Sequence, residues 1–233
     1  RKISKSFGGV QALSKVDFAV EPGTIVGLIG PNGAGKTTLF NAVAGAFKPT
    51  SGRVIFDGKD ITGLPANDVC RLGMARTFQV TRPFAAMTCL ENVMVAAVNR
   101  HPGKPRAFIE SFAREKLSFV GLAEMEGFEA RQLNVIQKKR LEMARALATE
   151  PKLLMLDEVL GGLNTQEISQ AVEFIRNLRD KLMLTVLWIE HVMGAIMQAA
   201  ERVIVLDQGQ VLMAGTPHEV VNDPRVIQAY LGE

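Results

Sequence analysis

The chain has 233 residues, carries a formal net charge of +3 from 27 basic and 24 acidic side chains, and is 47% hydrophobic. That length fits one large domain or a core with an appendage, and that apolar content excludes a disordered chain. The balanced charge argues against a nucleic-acid binder, and no apolar run is long enough to span a bilayer. No signal peptide is expected, whereas a few residues are expected before Arg1, which is not Met. Cys70 and Cys89 fit no metal spacing and read as reduced core thiols, which points to the cytoplasm. Any membrane role is then expected to come through a partner.

Residues 3–20 read as edge strands, with Val16, Phe18 and Val20 alternating against small or polar neighbours and Phe7 preceding a Gly8-Gly9 turn. Thr24 to Ile29 is a short apolar run of buried-strand type. Gly30-Pro31-Asn32-Gly33-Ala34-Gly35-Lys36-Thr37 follows, with Thr38 behind it, and fits G-x-x-x-x-G-K-[ST] at every fixed position. Lys36 to Ala44 reads as a helix that Gly45 ends. Strand, glycine loop and helix in that order make an anion site. The backbone N–H groups and the helix N-terminus converge on phosphates, Lys36 reaches the β- and γ-phosphates, and the Thr37 hydroxyl ligates magnesium. A glycine-rich turn that merely joined strand to helix would have no need of the Lys-Thr pair. The chain is expected to bind a nucleoside triphosphate.

Arg53 to Asp57 reads as a further strand before the turn Gly58-Lys59-Asp60, and Pro65 to Leu72 as a helix stopped by Gly73. Gln79 lies on Ala75-Arg76-Thr77-Phe78-Gln79, a stretch compatible with strand or loop. Residues 88–100 and 107–122 read as helices separated by His101-Pro102-Gly103-Lys104-Pro105, and this middle region is expected to be helical. Lys138-Lys139-Arg140 reads as a solvated helix face. Leu141, Ala144, Leu147 and Ala148 stripe the helix that Pro151 ends.

Leu153 to Leu156 is apolar enough for the middle of a parallel sheet and emerges into Asp157-Glu158, at the strand end where open α/β sheets bind ligands. Asn164 and Glu167 can cap a helix whose Ile168, Val172, Ile175 and Leu178 share a face. Leu184 to Ile189 is another buried strand, ending at Glu190-His191. Val203 to Leu206 and Val211 to Ala214 flank a hairpin at Asp207-Gln208-Gly209-Gln210, and one helix from about Pro217 to Leu231 closes the chain. Trp188 and most of the ten methionines read as core.

Taken together, these residues resemble the ATP-binding subunit of an ABC transporter over essentially the whole chain. Gly30 to Thr37 matches its Walker A, Gln79 its Q-loop, Leu153 to Glu158 its Walker B and His191 its H-loop. Ala75 to Gln79, the run Met87-Thr88-Cys89-Leu90-Glu91-Asn92-Val93, Gly162-Leu163-Asn164 and the closing Ala229-Tyr230-Leu231-Gly232-Glu233 look like the branched-chain amino-acid importer subfamily.

The resemblance implies an α/β P-loop NTPase core with a mostly parallel sheet, an N-terminal antiparallel β subdomain and a helical subdomain. Residues 1–78 and 150–233 would form the core and 79–149 the helical part. It implies an ATPase using ATP and magnesium to power import of a small polar solute, an amino acid or related organic acid. Asp157 would hold magnesium, and Glu158 would orient or deprotonate the attacking water. His191 would donate to the γ-phosphate, Gln79 would contact magnesium or water and couple to the membrane partner, and Phe7 would stack on adenine. Implied partners are permease membrane subunits, a second ATPase subunit and, indirectly, an extracytoplasmic solute-binding protein, with no nucleic acid. The chain would then sit on the cytoplasmic face of the membrane. A soluble ABC ATPase without a transport role, and a regulatory nucleotide-binding subunit, are the alternatives.

One stretch departs from the family. Its signature Leu-Ser-Gly-Gly-Gln reads Leu133-Asn134-Val135-Ile136-Gln137 here, although Lys139 to Leu147 matches well. Asn134 can still donate, but Ile136 is β-branched where bare backbone is expected to approach a phosphate. Val159 stands where a proline usually follows the Walker B glutamate. A homodimer would carry two weakened composite sites, and a heterodimer with a consensus partner one good and one weak.

Overall fold

The structure is a computed structural model, and it describes residues 1–231. The closing Gly232 and Glu233 lie outside the described residues.

The chain begins with a hairpin, β1 (Ile3–Phe7) and β2 (Val10–Val16), paired antiparallel around Gly8. Residues 17–20 carry no strand, so the alternation read through Val20 ends at Val16. β3 (Ile25–Ile29) is buried at all five positions and leads through the glycine loop into α1 (Lys36–Val43). The strand read over 53–57 shrinks to β4 (Ile55–Phe56), because Asp57 turns at φ +50° to meet β5 (Lys59–Asp60). α2 (Ala66–Arg71) and β6 (Met74–Arg76) follow, then α3 (Cys89–Arg100) and α4 (Arg106–Phe119). Two 3-10 turns, Ala123–Met125 and Ala130–Gln132, lead into α5 (Val135–Leu147). β7 (Leu153–Asp157), α6 (Thr165–Leu182), β8 (Thr185–Ile189) and α7 (Met193–Ala199) continue the alternation. β9 (Arg202–Asp207) and β10 (Gln210–Gly215) form the late hairpin.

The single closing helix expected over 217–231 is two helices, α8 (Pro217–Val221) and α9 (Pro224–Leu231). Pro224 cannot donate back into a preceding turn, and Asp223 accepts the Arg225 N–H at 2.8 Å and so starts a new helix.

The chain divides into two compact units, residues 1–69 with 155–233 and residues 70–154. In the first, β3 is central, with β8 and β9 parallel on either side, β10 antiparallel outside β9, and β7 beyond β8. Leu28, Ile29, Phe40, Leu156, Trp188 and Ile189 are all buried around it, as continuous apolar strands of a covered parallel sheet must be. Met183 is an exception to the core reading of the methionines, being 76% exposed at the left-handed C-cap of α6.

In the second unit α3, α4 and α5 bury one face each, through Val93 and Ala97, Ile109 and Ala113, and Leu141 and Ala144. β6 lies beside the start of β7, where Lys152 and Leu153 N–H groups donate to Gly73 O. Asn92 explains part of the Met87-to-Val93 run. Fully buried on α3, it accepts the Phe84 N–H at 2.9 Å and shares its NH2 among the carbonyls of Phe84, Met87 and Thr88. Asn92→Ala is expected to lower unfolding free energy by about 3 kcal/mol, because buried backbone groups lose their partners. Urea denaturation monitored by far-UV circular dichroism checks this, and a loss under about 0.5 kcal/mol, the size of an ordinary surface change, would refute the role.

Candidate active site

The glycine loop closes on itself around Lys36. The Lys36 ammonium, 6% exposed, donates to Gly30 O at 2.6 Å and Pro31 O at 2.9 Å, and the Ala34 N–H donates to Pro31 O at 3.2 Å. Gly30 sits at φ +147° against β9, where a Cβ would stand 2.0 Å from Leu206 O, so no other residue fits. Gly35, at φ +99°, is the N-cap of α1 and supplies no side-chain acceptor. Among the described residues four other α-helices do carry capping boxes, from Thr88 with Glu91, Asn134 with Gln137, Asn164 with Glu167, and Thr216 with Glu219. The first turn of α1 has no acidic residue either, so no carboxylate of its own competes with an anion for the helix N-terminus. The late hairpin braces the loop, with Gly209 N–H donating to Ala34 O at 3.1 Å, a support between distant segments that no local pattern announces.

Asp157 ends β7 and is 4% exposed, and Glu158 follows it at φ +48°, a left-handed conformation uncommon for a residue with a Cβ. The Glu158 N–H donates to Ile189 O at 3.0 Å, which ties the exit of β7 to the end of β8. His191 comes off that end, and its Nε2 lies 2.5 Å from Glu158 Oε1. At this distance the two side chains share a single hydrogen bond, whose donor is set by the tautomer of the imidazole. The loop of Gly30 to Thr37, Asp157, Glu158 and His191 all belong to the first unit.

Phe7 also belongs to it, at the end of β1 and 48% exposed. Its ring meets Phe47 edge to face at 5.4 Å, with the Lys5 ammonium 4.9 Å from the Phe7 centroid. Gln79 is placed in the second unit, exposed on the loop after β6. Within that unit Glu142 of α5 holds the loop, its Oε1 accepting the Phe78 N–H at 2.7 Å. Burial pushes the Glu142 carboxyl up, against the pull of that N–H and of Arg145 and Lys139.

The variant signature starts α5. Asn134 Oδ1 accepts the Gln137 N–H at 2.9 Å, and Gln137 Oε1 accepts the Asn134 N–H at 2.9 Å. The oxygen of Asn134 is thus committed to its own helix, which leaves the NH2 for an outside acceptor. Val135, next to it, is 65% exposed.

The donor set suits a nucleotide that brings its own metal. Among the described residues no three His, Cys, Asp or Glu side chains gather to hold an ion. Magnesium retains several waters and takes few protein ligands beside phosphate oxygens, so one carboxylate and one hydroxyl are a sufficient protein contribution.

Residues 13–161 match the family described as ABC transporter, and residues 210–233 that described as branched-chain amino acid ATP-binding cassette transporter. The chain is 41% identical to the high-affinity branched-chain amino acid transport ATP-binding protein LivG of Escherichia coli (strain K12), over 97% of this chain and 94% of that protein. It is likewise 41% identical to BraF of Pseudomonas aeruginosa, a protein of the same description, over 99% of this chain and 96% of that one. Among solved structures, an ATP-binding cassette of an ABC transporter superposes with a TM-score of 0.90 at 32% identity, covering 99% of this chain and 96% of that chain. With the phosphate loop, the carboxylate pair and the histidine in place, the chain belongs to the ATP-binding family of ABC transporters and is an ATPase coupled to transport.

Proposed function

We propose that this ATPase powers import of branched-chain amino acids or related organic acids, with Glu158 and His191 performing hydrolysis. The observation that carries the mechanism is the 2.5 Å contact between His191 Nε2 and Glu158 Oε1. Lys36 exchanges Gly30 and Pro31 carbonyls for the β- and γ-phosphate oxygens, while the α1 N-terminus supplies backbone donors. Thr37 and Asp157, both of the first unit, are the residues that would hold magnesium, which when bound would neutralise charge on the phosphate oxygens. Glu158 orients the water or takes its proton, and the His191 N–H turns from Glu158 toward the γ-phosphate. Phe7 offers an aromatic face to adenine. Gln79, exposed on its loop in the second unit, would couple to a permease subunit.

The substrate class rests on the two close relatives and on the match over residues 210–233. No described helix is long and apolar enough to cross a membrane, so permease subunits would provide the path and this chain would attach at their cytoplasmic face. A second ATPase subunit completes the pair, and a solute-binding protein acts from the far side. Uptake of labelled leucine, isoleucine and valine into cells carrying the reassembled transporter tests this. Uptake independent of Lys36, or of none of the three, overturns the substrate assignment.

A reading with weak turnover in the isolated chain is favoured by one observation, the α5 start. Its Asn134 oxygen is engaged in the cap and Val135 and Ile136 follow it, where a γ-phosphate of an opposing subunit would approach bare backbone. Asn134→Ser, Val135→Gly and Ile136→Gly together are expected to raise hydrolysis and ATP-dependent dimerisation of the isolated chain. One recovered transition-state donor contributes about 2.7–4 kcal/mol, or roughly 100- to 1,000-fold. Two glycines in a first helical turn cost about 1 kcal/mol each, which is smaller. Steady-state rates at several protein concentrations decide; equal rates for both proteins mean that the altered signature is tolerated.

A further inference from the structure

Glu190 follows the last residue of β8 and is 2% exposed. No step of the proposed hydrolysis uses it. Its Oε1 accepts the Leu160 N–H at 2.8 Å and its Oε2 the His191 N–H at 3.2 Å. Burial pushes its carboxyl up, and the N–H groups of Leu160, His191 and Val192 oppose that push. A buried carboxylate is a costly occupant of a strand end, since an apolar residue would fill the volume without desolvation.

What the carboxylate does there is geometric. Leu160 lies two residues past Glu158, whose φ of +48° belongs to an uncommon backbone region. Val159 between them has no ring to fix its φ, as a proline would. Two stitches hold this turn to the end of β8, the Glu158 N–H on Ile189 O and the Leu160 N–H on Glu190 Oε1. The second carboxylate oxygen grips the backbone of His191 itself.

We propose that Glu190 is a positioning residue for hydrolysis: its carboxylate joins the backbone after Glu158 to the backbone of His191 and so holds that pair at contact distance. The inference rests on the assignment of Glu158 and His191 to catalysis. Misplacement of a reacting group by about 1 Å can cost on the order of 100-fold in rate without affecting remote binding contacts.

The test uses the full chain with Glu190→Ala and Glu190→Gln, read in two ways. Amide hydrogen exchange without nucleotide should show loss of protection at Leu160 and His191 in Glu190→Ala. The N–H groups within β7 and β3 should stay protected. Single-turnover hydrolysis at saturating Mg-ATP should fall roughly 100-fold in Glu190→Ala, with the Kd for ATP within about twofold of the parent. Glu190→Gln keeps one oxygen for Leu160 but presents an NH2 to His191, and should lie between the two. In a Glu158→Gln background, Glu190→Ala should add little further loss, because it acts through the missing carboxylate. Unchanged exchange at Leu160 overturns the tether, and lost protection with an unchanged rate overturns the positioning role. Equal losses in rate and ATP affinity mark a general structural defect and overturn it too. Should Glu158→Gln alone leave the rate intact, the catalytic assignment fails, and the exchange result still decides whether the tether exists.

Discussion

Glu158→Gln is expected to lower ATP turnover by about two to four powers of ten while nucleotide still binds. The substitution keeps the size of the side chain and its place 2.5 Å from His191 Nε2, but replaces a proton acceptor by an amide. The carboxylate sits on a turn held by its own N–H on Ile189 O, so the backbone of the variant has every reason to stay where it is. ATP should be retained without cleavage, and a dimer should accumulate on ATP as hydrolysis no longer dissolves it. Turnover, ATP retention and sedimentation of the variant with Mg-ATP measure the three consequences. Parent-like turnover would mean that another group activates the water.

Lys36→Ala should abolish tight binding of Mg-ATP. The ammonium is held by Gly30 O and Pro31 O at 2.6 and 2.9 Å, inside the loop that phosphates would enter. Each charge-assisted hydrogen bond it gives to a phosphate contributes about 1.5–3 kcal/mol. Two such bonds correspond to a loss in affinity of roughly 100-fold or more. Removing the ammonium also strips two carbonyls of a buried donor, so some stability goes with it. Lys36→Gln, which keeps a donor for those carbonyls without the charge, separates the two effects. Both variants should lose ATP affinity, and Lys36→Gln should recover thermal stability. Unchanged affinity in a folded Lys36→Ala protein would refute the assignment.

The phosphate loop was legible because its chemistry is contiguous. Eight neighbouring residues fix where the backbone can turn and which cation stands within the turn, and β3 and α1 flank them as read. Caps were legible for the same reason, and the Asn164–Glu167 pair forms the capping box its spacing indicates. Element ends were less so where two local signals competed. Apolar periodicity over 217–231 suggested one helix, while Asn222-Asp223-Pro224 carried the stop and restart that prevailed.

Sequence by itself determined the family, the strand–loop–helix that meets phosphate, and the apolar strands that end in Asp157-Glu158 and Glu190-His191. Tertiary structure alone decided what those strand ends do to one another. Glu158 and His191 are 33 residues apart, and Glu190 is 30 residues from Leu160, so no local spacing encodes their contacts. They meet because β7 and β8 are neighbours in the sheet and end together. In the sequence Glu190 was only a charge after an apolar strand. Buried by the fold, it becomes an acceptor whose desolvation is offset by backbone N–H groups from two chain segments, and that pairing requires the assembled sheet.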